Sequence, residues 1–323
     1  MKEVYASAPS KFVILGEHSV VYGKPALALA IDMRFKMRVR RDRAFNINDR
    51  PADIKASPHM NRISSMHGMM PVSVHIDGRV PSGAGLGSSA ALSVAFAAAM
   101  DIVDRDKAVP EDVAKAAFEA EYFAQGRGSP MDTSASTHGG GIALNVPHSS
   151  SERLWTVEKD GRSWDISDVN VPEMSFVIGN TRIRAATGPL VEKVRIYKEK
   201  NGFASDIIDE MGDIALDGLA AIRRNDLEEL GSLMTYNHKL LSILGVSCRE
   251  LNKLCEAAMP YSYGAKLTGS GGGGCMVALT DSPERVADAI RSRGGIPYIV
   301  RTGVKGFETR TSDRRRSRKD RIR

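Results

Sequence analysis

The chain has 323 residues, 42% of them hydrophobic, and a formal net charge of +6. This length suits two domains of roughly 150 residues each, and no apolar run approaches the roughly 20 residues that span a bilayer. The three cysteines, Cys248, Cys255 and Cys275, have no metal-ligand spacing and no signal peptide is evident, so we expect reduced thiols in a cytoplasmic protein rather than a disulfide-rich or zinc-binding one.

The positive charge is concentrated at the C-terminus. Residues 309–323 contain eight Lys or Arg and two Asp, so the rest of the chain carries 37 positive and 37 negative charges. A charge run of this kind is more typical of a disordered, solvated tail than of a binding arm. We therefore expect a neutral body with no nucleic-acid partner. A tail that binds nucleic acid is the alternative.

A short apolar strand predicted at 12–15 has ionisable residues at both ends. Lys11 precedes it, and Glu17 and His18 follow it in a predicted turn. Singly, each residue would be interpreted as a solvated loop side chain or a satisfied hydrogen bond. Clustered around one strand, they indicate a polar site. A second short strand is predicted at 20–22.

The most informative stretch is the glycine-rich loop 81–91, which follows a strand-like run at 72–77 and precedes an apolar helix at 90–100. Alternate glycines free the backbone, and the loop opens onto a helix N-terminus that favours an anion. The stretch predicts a phosphate site, although it matches neither the Walker nor the Rossmann fingerprint. A tight turn for close helix packing is the alternative. The predicted phosphate-binding residues are Pro81, Gly83, Ala84, Gly85, Leu86, Gly87, Ser88 and Ser89.

Two acidic residues follow this loop. Glu121 lies in the last turns of a helix predicted at 110–123, which begins with proline and two acidic residues. Asp132 follows Ser129 and Pro130 in a pattern typical of a helix cap, so a structural role alone would account for it. The field of the helix also favours a charged carboxylate there, which is the form that a proton acceptor needs.

The remaining segments mix strands and helices, which indicates an α/β or α+β class. A loop with short irregular elements is predicted at 42–70, a polar hairpin at 147–168 and a domain boundary near 169–173. Helices are predicted at 187–201, 205–224, 227–244, 247–258 and 282–293, and strands at 142–146, 174–178, 264–267, 275–279 and 296–301. The second glycine run, 268–274, is either a flexible tip or a backbone that approaches a ligand from the second domain.

Three segments in this order, 11–23, 81–91 and 266–275, resemble the GHMP kinase superfamily, whose members phosphorylate small-molecule hydroxyls with ATP. The resemblance extends to about residue 301. The Gly-Glu-His-x-Val-Val run within the first segment is the more discriminating motif and resembles archaeal-type mevalonate kinases. Ser10 and Met131 depart from the family pattern, which bears on loop geometry rather than on chemistry.

The resemblance implies a two-domain α+β fold. It places an N-terminal α/β nucleotide-binding domain at 1–170, a C-terminal ferredoxin-like α+β domain at 171–308 and the basic, disordered tail at 309–323. The implied activity is transfer of a phosphoryl group from ATP to the C5 hydroxyl of mevalonate, a step of isoprenoid precursor synthesis, with Mg²⁺ as cofactor.

The family's roles carry over to matching positions. Asp132 and Lys11 would be catalytic, and Ser89 and Glu121 would hold Mg²⁺. The implied substrate contacts are His18, Glu17, Thr187, Gly271 and Gly272. A homodimer is left open as the assembly state, and no membrane partner is expected. The alternatives are a kinase for phosphomevalonate, homoserine or another small alcohol, and a non-catalytic binding protein of the same fold.

Overall fold

The computed structural model describes residues 2–78, 80, 85–126, 128–147, 150–184 and 187–313. Within these residues the strands are β1 (Lys2–Leu15), β2 (Ala26–Arg41), β3 (Asn46–Ile47), β4 (Arg50–Pro51), β5 (Val72–Gly78), β6 (Gly141–Leu144), β7 (Arg153–Lys159), β8 (Arg162–Val169), β9 (Ser175–Asn180), β10 (Gly264–Thr268), β11 (Cys275–Leu279), β12 (Ile296–Arg301) and β13 (Glu308–Asp313). The helices are α1 (Pro58–Met66), α2 (Ser88–Arg105), α3 (Pro110–Gln125), α4 (Met131–His138), α5 (Thr187–Lys200), α6 (Gly202–Arg224), α7 (Leu227–Ile243), α8 (Arg249–Ala258) and α9 (Pro283–Ser292).

The first sheet is organised around β1 and β2, two long strands that pair antiparallel. The other edge of β2 pairs with β6 along its first half and with β5 along its second half. Among the described strands of this sheet, only the short β3–β5 pair is parallel. The predicted α+β class is confirmed. The N-terminal sheet itself is largely antiparallel, unlike the parallel sheet that an α/β domain usually contains.

The second sheet has the order β10-β11-β9-β12, with every pair antiparallel. The chain runs through β9, helices α5 to α8, β10, β11, α9 and β12. This β-α-β-β-α-β succession with the first strand between the third and fourth is the ferredoxin-like arrangement expected for the C-terminal half. The two sheets share an apolar core, in which the Phe12 and Phe176 rings lie 4.9 Å apart.

The last strand returns to the first sheet. β13 pairs antiparallel with β1, so that Lys2 lies opposite Asp313 and Ser7 opposite Glu308. The prediction of a disordered tail from residue 309 is therefore wrong for 309–313. These residues are polar, and only a partner distant in sequence makes them a strand, which a charge count does not detect. Residues 314–323 lie outside the described part, and the domain limits 1–170 and 171–308 stay predictions.

Two local predictions also differ from the structure. The strand expected at 20–22 is a 3-10 helix, Ser19–Tyr22. Because β1 and β2 are adjacent and antiparallel, the ten residues between them reverse the chain. Residues 20–22 lie in this reversal, and no described strand pairs with them. The segment at 42–70, expected to be loop with short irregular elements, contains the two-residue strands β3 and β4, which fit that expectation, and also the nine-residue helix α1, which was not predicted.

Candidate active site

An ion pair joins β1 to the first turn of α4. Lys11 Nζ lies 2.8 Å from Asp132 Oδ1, with the lysine side chain 4% exposed and the aspartate side chain 44% exposed. The Lys11 amide donates to the Leu86 carbonyl at 3.1 Å, and the Ser10 hydroxyl donates to the same oxygen. The pair predicted to be catalytic is thus assembled, and the glycine-rich loop is bonded to the same strand.

The glycine-rich loop leads directly into α2. Gly87 is the N-cap with φ 67°, and a Cβ there would lie 2.9 Å from Lys11 Cε. Both the left-handed backbone and the passage of the lysine stem therefore require glycine. Ser88 and Ser89 occupy the first turn of α2, where backbone N–H groups have no helical partner. Of the other predicted phosphate ligands, Pro81, Gly83 and Ala84 lie outside the described residues.

Glu121 is surrounded by hydrogen-bond donors. Ser89 Oγ donates to its Oε2 at 3.1 Å, and Ser93 Oγ donates to its Oε1 at 3.3 Å. Gln125 Nε2 donates to Oε2 at 2.6 Å, and His59 Nε2 lies 3.3 Å from Oε1 without hydrogen-bond geometry. Ser93 and Gln125 were not predicted from the sequence. Each lies four residues after a predicted ligand on the same helix, a spacing that could have identified it.

This donor set fits a magnesium–nucleotide site. Mg²⁺ is commonly bound through one or two carboxylates, with waters and substrate phosphates completing its octahedron. Glu121 could supply the carboxylate and Ser89 a hydroxyl, beside a helix N-terminus of the kind that favours phosphate. In the described part of the chain, no three His, Cys, Asp or Glu residues form a closed metal cluster. A metal completed by substrate phosphates requires none.

The helix that carries Asp132 does not begin as predicted. Pro130 is the N-cap of α4, no side chain caps it, and the expected capping pattern from Ser129 is wrong. The Asp132 carboxylate is paired with Lys11 instead. Met131 beside it is 2% exposed and belongs to an apolar cluster, so it anchors the start of the helix.

Glu17 is engaged within the protein. Its Oε1 pairs with Lys266 Nζ and its Oε2 accepts from Asn237 Nδ2 at 3.1 Å, with the side chain 2% exposed. Lys266 also donates to the Leu267 carbonyl at 2.8 Å. Because both carboxylate oxygens of Glu17 already have partners, we correct its assignment from substrate contact to structural ion pair. The sequence contained a signal for this, since Lys266 interrupts an otherwise apolar strand.

His18 contacts the second glycine run. Its Nε2 lies 3.0 Å from the Ser270 carbonyl oxygen, and its φ is 62°. Burial lowers the pKa of His18, although the Ser270 hydrogen bond and the charge of Glu17 act in the opposite direction. A neutral imidazole that donates from Nε2 to Ser270 carries an acceptor at Nδ1.

The second glycine run is held by backbone contacts, unlike a flexible tip. The Gly272 amide donates to the Val246 carbonyl at 2.8 Å, and the Gly274 amide donates to the Ile183 carbonyl at 2.8 Å. A Cβ at Gly271, where φ is +82°, would lie 2.0 Å from the Val246 oxygen. Since the Gly272 amide already has a partner, it is not a free donor for substrate. Gly271 provides close packing.

The two glycine segments also approach each other. A Cβ on Gly85 would lie 3.5 Å from the Thr268 carbonyl oxygen. Thr268 Oγ1 donates to the Val13 carbonyl at 2.9 Å and accepts from the Val13 amide at 3.1 Å. The second glycine run is therefore fixed against β1 beside the first loop. Thr187 is the first residue of α5, and its side chain is outside the described part.

A cleft of about 740 Å³ lies between the Ser19–Tyr22 turn, the segment before α4, β8 and α5. Its described lining is Val20, Val21, Gly23, Gln125, Gly128, Ser129, Asn145, Arg162, Ser163, Trp164, Gly188 and Val191. Gln125 connects the cleft to Glu121, because its amide donates to that carboxylate. The cleft thus combines an apolar wall with polar groups beside the carboxylate site.

Comparison with known proteins agrees with this arrangement. Residues 55–140 match the GHMP kinases N terminal domain, and residues 219–296 match the GHMP kinases C terminal family. A mevalonate kinase of Pyrococcus abyssi is 35% identical, with 94% of this chain and 97% of that protein covered. The chain belongs to the GHMP kinase family. A mevalonate kinase of Pyrococcus horikoshii is 34% identical to this GHMP kinase over 95% of the chain and 98% of the relative.

Solved structures show the same fold. The structure of L. major mevalonate kinase in complex with R-mevalonate has a TM-score of 0.79 at 24% identity, covering 93% of this chain and 96% of that one. The Methanococcus jannaschii mevalonate kinase has a TM-score of 0.76 at 23% identity, covering 93% and 98%. At these identities the structural likeness establishes only the fold of this GHMP kinase. In its described part, no helix has the length and apolar character needed to cross a membrane.

Proposed function

We propose that this GHMP kinase transfers a phosphoryl group from ATP to the C5 hydroxyl of mevalonate, forming 5-phosphomevalonate for isoprenoid precursor synthesis. Relatives named mevalonate kinase cover nearly the whole chain at about one-third identity. The observation that carries the chemistry is the 2.8 Å pair between Lys11 and Asp132 beside the loop at the start of α2. Phosphoryl transfer depends on positioning and charge stabilisation, which this arrangement supplies.

Asp132 is the proposed proton acceptor. Its side chain is almost half exposed while its partner lysine is buried, so the carboxylate can meet a substrate hydroxyl from the solvent side. The proton would move from the C5 hydroxyl to an Asp132 carboxylate oxygen, a general-base step worth roughly 10²–10⁴-fold in rate. Lys11 Nζ would stabilise negative charge on the transferring phosphoryl group.

The nucleotide phosphates would bind at the start of α2. The N–H groups of its first turn and the hydroxyls of Ser88 and Ser89 provide donors for phosphate oxygens. We propose that Glu121 and Ser89 hold Mg²⁺, which when bound would neutralise charge on the phosphates. The Ser93 and Gln125 donors fix the orientation of the Glu121 carboxylate.

The cleft beside Gln125 is the proposed mevalonate pocket. Mevalonate carries a carboxylate, a tertiary hydroxyl and a methyl group. Val20, Val21 and Val191 offer an apolar wall for the methyl group, and Arg162 is the cation among the described lining residues. His18 is not among the described residues that line the cleft, but it immediately precedes the Ser19–Tyr22 turn that does. We propose that its Nδ1 accepts a hydrogen bond from a substrate hydroxyl there, while Nε2 is held by the Ser270 carbonyl.

A substrate comparison tests this proposal. ADP release would be measured with mevalonate, phosphomevalonate, homoserine and no acceptor, in the presence of Mg²⁺. We expect mevalonate to give the highest kcat/KM. A higher kcat/KM for phosphomevalonate or homoserine would transfer the proposal to that substrate. If none of the three acceptors raises ADP release above background, the result would favour a non-catalytic binding protein.

We also propose a cytoplasmic location, based on the cysteines. All three lie in the described part and are free thiols. Burial raises the pKa of Cys255 and raises that of Cys275 to about 12, so both are unreactive at neutral pH. Unpaired thiols are typical of proteins in a reducing compartment. Fractionation of the native source would test this, and recovery with exported proteins would contradict it.

A further inference from the structure

We propose that the buried ion pair between Glu17 and Lys266 is a positioning device that holds His18 at the mevalonate pocket. The inference rests on the proposed function, because it assigns a role within that pocket. Glu17 and Lys266 are positioning residues in this account, and His18 is the side chain that touches substrate.

The ion pair is closed to solvent on every side. The side chain of Lys266 is 0% exposed and that of Glu17 is 2% exposed. Each has a second partner, since Asn237 Nδ2 donates to Glu17 and Lys266 donates to the Leu267 carbonyl. Neither group is therefore available to a ligand. A charge pair buried this completely adds little net stability compared with apolar residues of the same volume, so stability alone does not account for it.

The ion pair lies beside the hydrogen bond that orients His18. Glu17 is adjacent to His18, and Lys266 precedes Ser270 by four residues on the same strand and loop. Two further hydrogen bonds join Val13 of β1 to Thr268 at the end of β10, the strands from which these two segments continue. The end of β1 and its following turn are thus held to β10 and the second glycine run at three adjacent points.

His18 needs such support because its backbone is strained. Its φ of 62° lies in the left-handed region that a non-glycine residue rarely occupies without constraint from its surroundings. The imidazole is fixed by one side-chain hydrogen bond in the described contacts, to the Ser270 carbonyl. If Glu17 were not anchored to β10, the turn could relax and the imidazole would lose its orientation toward substrate.

The test removes both charges together. In the double variant Glu17→Gln and Lys266→Met no unpaired charge stays buried, so the protein is expected to fold. We expect KM for mevalonate to rise at least about tenfold while KM for ATP changes less than about twofold, because the phosphate site has separate supports. The matched control is Lys24→Met with Asp209→Asn. This pair also joins the segment after β1 to the second half of the chain, but its side chains are partly exposed. Wild-type kinetics in the control are expected.

A second variant covers failure of the double variant to fold. Glu17→Asp keeps the charge but withdraws the carboxylate by one methylene, and we expect it to raise KM for mevalonate with KM for ATP retained. A readout independent of activity is the ¹⁵N NMR spectrum of the His18 ring. We expect the Nε2–H tautomer in the wild type and averaged tautomers in the variants.

The outcomes separate this inference from the proposed function. If the wild type does not phosphorylate mevalonate, the proposed function fails, and the NMR comparison still decides whether the ion pair orients His18. If the wild type is active, and a folded double variant or Glu17→Asp keeps the wild-type KM for mevalonate, the positioning role is overturned. Equal increases in both KM values would also overturn it, since they indicate general loosening of the fold.

Discussion

Two lysine–carboxylate pairs lie near the same end of β1, and they differ in one respect. Both lysines, Lys11 and Lys266, are almost completely buried. Asp132, the partner of Lys11, keeps nearly half of its side chain in solvent, whereas Glu17, the partner of Lys266, is enclosed. A buried lysine in a motif is therefore not by itself evidence of catalysis. In the proposed mechanism, the exposed side of the partner carboxylate would permit contact with substrate.

The surrounding elements produce this difference. Asp132 lies in the first turn of α4, close behind a segment that lines the cleft, so one side of it faces solvent. Glu17 lies in a turn covered by β10 and by Asn237 of α7. Removal of one partner from the enclosed pair should therefore lower the free energy of unfolding. Removal of one partner from the open pair should lower turnover.

The largest expected effect is on stability at the enclosed pair. Lys266→Met leaves the Glu17 carboxylate buried without its cation, which typically costs about 3–5 kcal/mol. Lys11→Met leaves Asp132 able to hydrate, and we expect a change within about 1 kcal/mol. Urea unfolding of both variants measures these free energies. Equal losses would contradict the distinction between the two pairs.

A large loss of turnover is expected at the open pair. Asp132→Asn removes the proposed proton acceptor but keeps the shape of the side chain, so we expect kcat to fall at least about 100-fold with ATP affinity unchanged. Steady-state kinetics and ATP titration measure these quantities. Asp209→Asn, which alters an exposed carboxylate on α6, is the matched control. Retained kcat in folded Asp132→Asn would reduce Asp132 to a structural role.

Acid should weaken the region around the enclosed pair. Burial and the charge of Lys266 lower the pKa of His238 from 6.5 to about 4, and its Nδ1 accepts from the Leu267 amide. The unfolded chain therefore binds this proton more readily, so the contribution of His238 is full above pH 6.5 and declines toward pH 4. Between pH 6.5 and 5 the loss is at most about 2 kcal/mol.

Thermal unfolding of His238→Gln across this pH range tests the prediction. We expect a flatter dependence of Tm on pH than in the wild type. The control His75→Gln changes a partly exposed histidine on β5 of the first sheet and should leave the pH dependence of Tm unchanged. Identical pH profiles for the wild type and His238→Gln would assign the acid sensitivity to other groups.

The smallest effect is expected from the C-terminus. Deletion of 314–323 removes basic residues but no element that the structure describes, so activity and Tm should stay at wild-type values. Deletion of 309–323 also removes most of β13 and leaves the outer edge of β1 unpaired, so Tm should fall. Loss of activity on the shorter deletion, in a protein that stays folded, would place the basic residues in the site.

Local sequence signals predicted much of this molecule. The helix at α3 was recognisable from its proline start, and the glycine loop from its position between a strand and an apolar helix. The choice of Lys11 and Asp132 as catalytic residues followed from the family resemblance, and the structure places the two side chains in contact. Each of these features is signalled by the residue types within a short stretch of the sequence.

The missed features depend on partners far apart in sequence. Glu17 and Lys266 are 249 residues apart, so nothing near Glu17 indicated that its carboxylate would be enclosed. β13 is a strand only because β1 is beside it. The residues from Ser129 match a helix-capping pattern, but in the structure no side chain caps α4 and the Asp132 carboxylate pairs with Lys11.

The most direct test of the central claim is identification of the product and of its dependence on the open pair. Wild type, Lys11→Met and Asp132→Asn would be incubated with ATP, Mg²⁺ and mevalonate, and followed by ³¹P NMR. We predict a phosphate monoester on C5 of mevalonate, formed at least about 100-fold more slowly by Asp132→Asn and also more slowly by Lys11→Met. A monoester elsewhere on the molecule, no phosphorylated mevalonate from the wild type, or equal rates in all three proteins would contradict it.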